Sequence, residues 1–215
     1  MILLYKYAVT IPNGVLLPDA RALQDTAELL ESAERSGATY TLACAQYVRG
    51  LALVYRDGPE RAAGPALLAA AQQAGFQQRF TRLAGATVET MLANEKARVG
   101  DLEGAIELSR AALDEYSTLG DVVSHGPFTA GLVEALVRRG TDEGLREAGA
   151  AIDRLAAIRT EAGFVLNEIW LLRLRALLAR RRGDDAAYLD YRDRYRSMAK
   201  SLRFDGHSAM ADELK

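Results

Sequence analysis

Histidine and cysteine are the side chains most specific for metal binding, or for acting as nucleophile or base near neutral pH, and this sequence holds three of them: Cys44, His125 and His207. A metal site or a Cys/His pair needs its members brought together, and local pairs do this through CxxC or HxxxH spacing. None of the three has such a companion. Cys44 therefore reads as a small buried residue, His125 as a polar residue beside a helix start, and His207 as a residue that orders a final turn. A phosphate loop needs glycines followed by Gly-Lys-Ser/Thr, so that backbone N–H groups can cradle phosphates. No Gly-Lys pair occurs in the chain. Neither a catalytic group, nor a cofactor, nor a metal site is expected.

The aromatic and basic residues allow two readings each. Trp170, Tyr188, Tyr191 and Tyr195 could line a ligand pocket, but their helical spacing suits a packed core. Between Arg173 and Arg203 there are ten Lys/Arg and four Asp. The run Arg180, Arg181, Arg182 closes a helix, where positive charge complements the dipole. These residues read as solvated faces with i,i+4 pairs such as Asp190–Arg194. The alternative is a basic face of Arg180, Arg181, Arg182, Arg192 and Arg196 that docks an acidic partner or nucleic acid.

The elements that position these residues are marked by glycines. Gly58, Gly100, Gly140 and Gly183 each follow an apolar helical stretch, at spacings of 42, 40 and 43 residues. A second series, Gly37, Gly75, Gly120 and Gly163, is spaced by 38, 45 and 43. Two interruptions per period of roughly 40 residues describe a repeating helix pair. The expected fold is all-α, an α-α superhelix of about four to five helix pairs, with residues 18–215 as one solenoid. Alternating β-branched runs are absent, so no strand is predicted. Residues 1–17 form an N-terminal segment to which the periodicity assigns no structure.

Apolar spacing predicts helices from Pro18 to Ser36, from Thr39 or Thr41 to Arg56, from Pro59 to Ala74 and from about Phe80 to Val99. The next start at Asp101, at SHGPF (Ser124 to Phe128), at Asp142, at Glu168 and at Asp184 or Asp185, and a short one spans Gly206 to Leu214. The stretch from Thr39 to Arg56 is apolar on both sides, as a helix with neighbours on both sides must be.

Composition agrees with a soluble protein. Of 215 residues, 49% are hydrophobic and 26% charged, enough for a continuous core. A net charge of −2 gives no general attraction to nucleic acid or to an anionic membrane, so nucleic acid is not the expected partner. The apolar start has no basic region before it and is broken at Pro12 and Gly14, which argues against a signal peptide. No apolar stretch reaches the ~20 residues of a membrane span. With a single cysteine, the expected compartment is the cytoplasm.

The stretch LANEKARVGDLEGAIELSRAAL, Leu92 to Leu113, resembles a tetratricopeptide repeat. Ala93, Ala105 and Ala112 fall at its small positions, and Gly100 and Asp101 at its turn. Elsewhere Leu51, Val133, Leu145 and Tyr188 replace the small residues, the repeat proline is missing, and the period exceeds the usual ~34. These features resemble the longer-helix variant found behind signal-transduction ATPases. Residues Asn167 to Leu214, with the segments AAIDRLAA, GDLEGAI and RSGA, are similar to the C-terminal arrays of actinobacterial multidomain class III adenylate cyclases. Arg203, Asp205 and Met210 depart from that pattern. The resemblance covers Leu23 to the end and implies a non-catalytic regulatory module. Its partner would be a protein or peptide, including a cyclase or ATPase module on another chain. It also implies that the first helix of each pair lines a groove, with Asn94, Arg98, Trp170 and Arg173 facing it. A small-ligand-sensing array, as in related transcription activators, is the alternative.

Overall fold

The computed structural model describes residues 2–56, 58–74, 79–118, 122–161 and 163–214, with 79–83 described by backbone alone. Among the described residues there are eleven α-helices and no strand. They are α1 (Ile2–Thr10), α2 (Ala20–Ser36), α3 (Thr39–Val54), α4 (Ala63–Gln73), α5 (Arg79–Arg98) and α6 (Leu102–Ser117). After these come α7 (His125–Arg139), α8 (Asp142–Ala157), α9 (Val165–Arg182), α10 (Asp185–Leu202) and α11 (Asp205–Asp212). A 3-10 turn, Pro59–Ala62, precedes α4.

The boundaries follow from local chemistry. Gly140 and Gly183 adopt φ of +73° and +75°, the left-handed conformation that ends a helix without a Cβ clash. Gly37 ends α2 in the same way at +66°, and φ is also positive at Gly58, Gly100 and Gly163, whereas Gly75 and Gly120 lie outside the described residues. Asp19, Asp101 and Asp184 accept the N–H of Ala22, Gly104 and Ala187, capping α2, α6 and α10.

Several predicted starts shift. Thr141, not Asp142, caps α8, accepting the Gly144 N–H at 3.1 Å, and Asp142 sits in the first turn. Helix α3 begins at Thr39 with Ala38 in the cap position, so neither threonine caps it. Ser124 stands at the α7 cap but makes no side-chain cap bond; its N–H donates to the Tyr116 hydroxyl. Helix α9 starts at Val165, three residues before Glu168, and α2 starts after Pro18.

Each helix from α2 onward packs on its neighbour in sequence, and α1, α3, α5, α7 and α9 also pack one on the next. The odd-numbered helices are thus covered on two sides. Helix α3 accordingly buries residues all around, including Cys44, Tyr47, Val48, Leu51 and Val54. Its contact with α4 is closed by glycines in ordinary helical conformation. A Cβ on Gly64 would lie 2.6 Å from Val54 Cγ1, and one on Gly50 would lie 2.8 Å from Leu68 Cγ. Trp170, Tyr188 and Tyr195 are buried, and burial pushes the Cys44 thiol pKa up, so it stays protonated.

Ala105 is fully buried on α6, the helix that packs on both α5 and α7. Ala105→Leu should overpack this contact and cost about 1–3 kcal/mol, read from chemical denaturation. A change within a few tenths of a kcal/mol would show that the contact has room to spare.

Candidate functional site

Along the odd-numbered helices, polar residues break an otherwise apolar surface. Asn94 and Arg98 on α5, and Glu134 and Arg138 on α7, are four apart and so share a helix face. Trp170 and Arg173 take the corresponding place on α9. The structure brings all of them, with Tyr55 after α3, to one cavity of about 470 Å³. All four residues expected at the groove therefore line the same space.

Their environments differ. Asn94 and Arg98 are exposed, and Arg98 donates to Glu95 at 2.8 Å. Glu95 also pairs with Arg61, which arrives from the 3-10 turn. Arg173 is buried and pairs with Glu134 of α7, while its guanidinium lies 5.7 Å from the Trp170 ring. Burial opposes the charge on Arg173, but Glu134 outweighs it, and the Arg173 pKa lies above its ordinary value. Arg138 is exposed and has no ion-pair partner among the described residues. The lining therefore mixes cations and carboxylates, most of them paired with one another.

Glu95, Glu134 and Arg61 had no part in the sequence expectation. A signal for two of them exists, because Glu95, Glu134 and Arg173 recur at intervals of 39 residues. Of these, Glu134 and Arg173 pair with each other across α7 and α9, whereas Glu95 pairs with Arg61 and Arg98.

One wall of the cavity comes from residues 1–17. After α1, residues 11–14 form a turn bonded back to it, the Ile11 and Asn13 N–H groups donating to the Tyr7 and Val9 carbonyls. With residues 15–17 they make a strap beside α5 and α7. Ile11 and Asn13 are fully buried, and Pro12 lies in a small crevice formed with Thr87 and Met91 of α5 and Pro127 of α7. The strap then meets α11. The Gly14 carbonyl accepts the His207 N–H at 2.9 Å, and the Val15 carbonyl accepts the Asp205 N–H at 3.2 Å. The two backbones touch closely: a Cβ on Gly206 would lie 2.7 Å from the Gly14 oxygen. Gly14 itself has φ of +66°, and a Cβ there would lie 2.9 Å from the His207 ring.

His207 is the centre of this junction. Its side chain is fully buried, with Nδ1 2.8 Å from the Tyr195 hydroxyl and the ring edge-on to Trp170 at 4.7 Å. Burial, then the nearby Arg173 charge, pushes its pKa down to about 3. It is thus a neutral side chain that joins α9, α10, α11 and the strap, a wider role than ordering one turn.

The expected basic face is distributed over several internal contacts. Arg182 donates to the Leu145 carbonyl at 3.0 Å, and Arg196 donates to the Leu214 carbonyl at 2.5 Å. Arg180 and Arg192 flank the Tyr188 ring, each 5.6 Å from its centre, and Arg181 packs over the Gly140 turn. Asp190 and Arg194 form the expected i,i+4 pair at 3.2 Å. His125 stands edge-on to Tyr116 at 4.7 Å. Among the described residues, no three His, Cys, Asp or Glu side chains converge, and no helix is long and apolar enough to cross a membrane. Comparison with family models, with curated proteins and with solved structures finds no match to this chain.

Proposed function

We propose that the chain is a non-catalytic interaction module, a right-handed superhelix of helix pairs whose odd-numbered helices line a concave groove for a segment of another protein. The alternate contacts of α3, α5, α7 and α9 support the superhelix. One observation carries the binding reading: the odd-numbered helices border a cavity of about 470 Å³ whose lining includes the exposed Asn94, Arg98 and Arg138. Such a surface recognises a chain by spreading many shallow contacts over several repeats. The resemblance to arrays of cyclase-containing regulators makes a cyclase or ATPase module on another chain the natural recipient of the signal.

The test is selection of linear peptides from a random library on the full chain. Arg98→Ala and Arg138→Ala suit it because both side chains are exposed at the groove; Arg173 is buried and unsuitable. Selected peptides should bind each single variant about three- to tenfold more weakly, and the effects should multiply in the double variant. Arg110→Ala, on the side of α6 that faces Glu147, should bind like the parent. Selection that yields no binder sensitive to Arg98 and Arg138 removes the reading.

A small-ligand receptor is the second reading, favoured by Tyr55 and Trp170 beside a cavity within the usual range for ligand pockets. A compound of low mass that raises the melting temperature of the parent, but not of Asn94→Ala, would establish it.

A further inference from the structure

We propose that the open trough lined by α8, α9 and α10 is a second interaction site, which takes an acidic segment of a partner protein through Arg146, Arg175 and Arg182. It shares no lining residue with the cavity of the odd-numbered helices, so it stands apart from the groove reading.

The preceding repeat shows why this trough is open and basic. Between α6 and α8, Arg110 crosses to Glu147 with two hydrogen bonds of 2.7 and 2.6 Å, and the buried Leu132 of α7 lies in the lining. Counted from the helix caps Asp101, Thr141 and Asp184, Arg110 and Glu147 correspond to Ala150 and Asp190 one repeat later. Ala150 has nothing to send across, and Asp190 pairs with Arg194 of its own helix. Counted back from Gly140 and Gly183, Leu132 corresponds to Arg175. The bridge is gone, the lining has gained a charge, and a space of about 510 Å³ lies between the helices.

None of the three arginines has a carboxylate partner among the described residues. Arg146 is exposed. Arg182 donates to a neutral acceptor, the Leu145 carbonyl, at 3.0 Å. Arg175 is partly buried, and its guanidinium lies 5.9 Å from the centre of the Tyr191 ring, which lines the same trough. A guanidinium fork matches a carboxylate with two parallel bonds, as Arg110 does with Glu147.

Spacing and sign define the partner. Arg175 and Arg182 are seven residues apart, on one face of α9 and about 10 Å apart along its axis. That separation suits two carboxylates seven apart on a facing helix better than one compact anion. Asp153 and Asp184 also line the trough, and Asp184 is engaged in capping α10. Their charges oppose the dense negative charge of a phosphate backbone more than they oppose spaced carboxylates.

The probe is a labelled helical peptide of about 15 residues, rich in Ala and Gln, with two glutamates seven apart. Titrated into the full chain, it should bind saturably by fluorescence anisotropy. Its glutamine counterpart, and a peptide with the two glutamates adjacent, should bind about tenfold more weakly. Arg146→Glu, and Arg175→Leu with the residue type of Leu132, should each weaken binding about tenfold or more. Arg146 is exposed, so its variant tests the site even where Arg175→Leu fails to fold. Arg154→Glu makes the same change of charge on α8, at an exposed residue of the bridged space between α6 and α8, and should bind like the parent. No saturable binding of the two-glutamate peptide overturns the proposal. Equal weakening by Arg146→Glu and Arg154→Glu does so too, since general attraction of charge would then account for the binding. Tighter binding of a single-stranded oligonucleotide, lost in Arg146→Glu, also overturns it and makes the trough a phosphate site.

Discussion

Glu134→Ala is expected to destabilise the chain by about 3 kcal/mol or more, measured by urea denaturation at neutral pH. The Arg173 side chain is 8% exposed, while that of Glu134 is 39% exposed. Removing the carboxylate leaves a guanidinium that cannot lose its proton, held against the Trp170 ring with no ion-pair partner in contact and only the more distant Glu213 as counter-charge. The contact between α7 and α9 must then open to admit water, or bear an unpaired buried charge. Arg173→Met is expected to cost less, about 1–2 kcal/mol, because the remaining Glu134 already reaches solvent. The asymmetry is the diagnostic. Glu134→Leu combined with Arg173→Met should recover most of the loss, since an apolar pair of similar volume needs no desolvation. A cost below about 1 kcal/mol for Glu134→Ala would show that the pair is solvated in the folded protein.

The second large effect is a loss of stability in mild acid that depends on His207. Its folded pKa is about 3, against an ordinary value of 6.5. Between these values the unfolded chain binds a proton that the folded chain refuses, so stability rises with pH across that window. The contribution is complete above about pH 6.5, and as pH falls toward 3 it declines by up to about 4–5 kcal/mol. Asp25, Asp101 and Glu147 also have depressed pKa values, chiefly from hydrogen bonds to Tyr7, Lys96 and Arg110. Their contributions fade as pH falls through the ordinary carboxylate range. Glu89, whose pKa burial raises, adds an opposite slope at and above that range. The histidine is therefore isolated by the difference between parent and variant over about pH 5–6.5. The groups facing it are Tyr195 of α10, Trp170 and Arg173 of α9, Phe204 before α11, and the backbone of Asn13 and Gly14. In that window His207→Gln should remove nearly one proton from the slope of stability against pH. Parallel slopes for parent and variant would mean that His207 titrates freely.

The helix pairs were legible because their ends are written locally. A glycine in left-handed conformation and a capping aspartate leave marks that do not depend on distant contacts. Gly140, Gly183, Asp101 and Asp184 all stand where the pattern puts them. Asn94 and Arg98 are placed by the resemblance to repeat arrays, in which the first helix of each pair lines the groove, and not by a local mark of their own. The strap could not be found this way. Its holds are main-chain bonds and a glycine-to-glycine approach to the far end of the chain, and neither changes composition or period. Gly50 and Gly64 escaped notice for the same reason, as their backbone is ordinary and only the opposing helix requires them. Thr141 and Asp142 differ by one position, and both residue types cap, so only geometry separates them.

The junction of Gly14 with Gly206 sets the order in which the molecule assembles. Almost every other contact joins helices adjacent in sequence or one removed, and such low-contact-order arrangements form quickly from any starting point. The strap and α11 lie nearly a whole chain apart, so their meeting carries the largest loop-closure entropy and gains nothing until the helices between them are in place. Closure should therefore come after the rate-limiting step of folding, leaving Gly14 and Gly206 with φ-values near zero. On the way back, this junction should be the first part of the molecule to come apart.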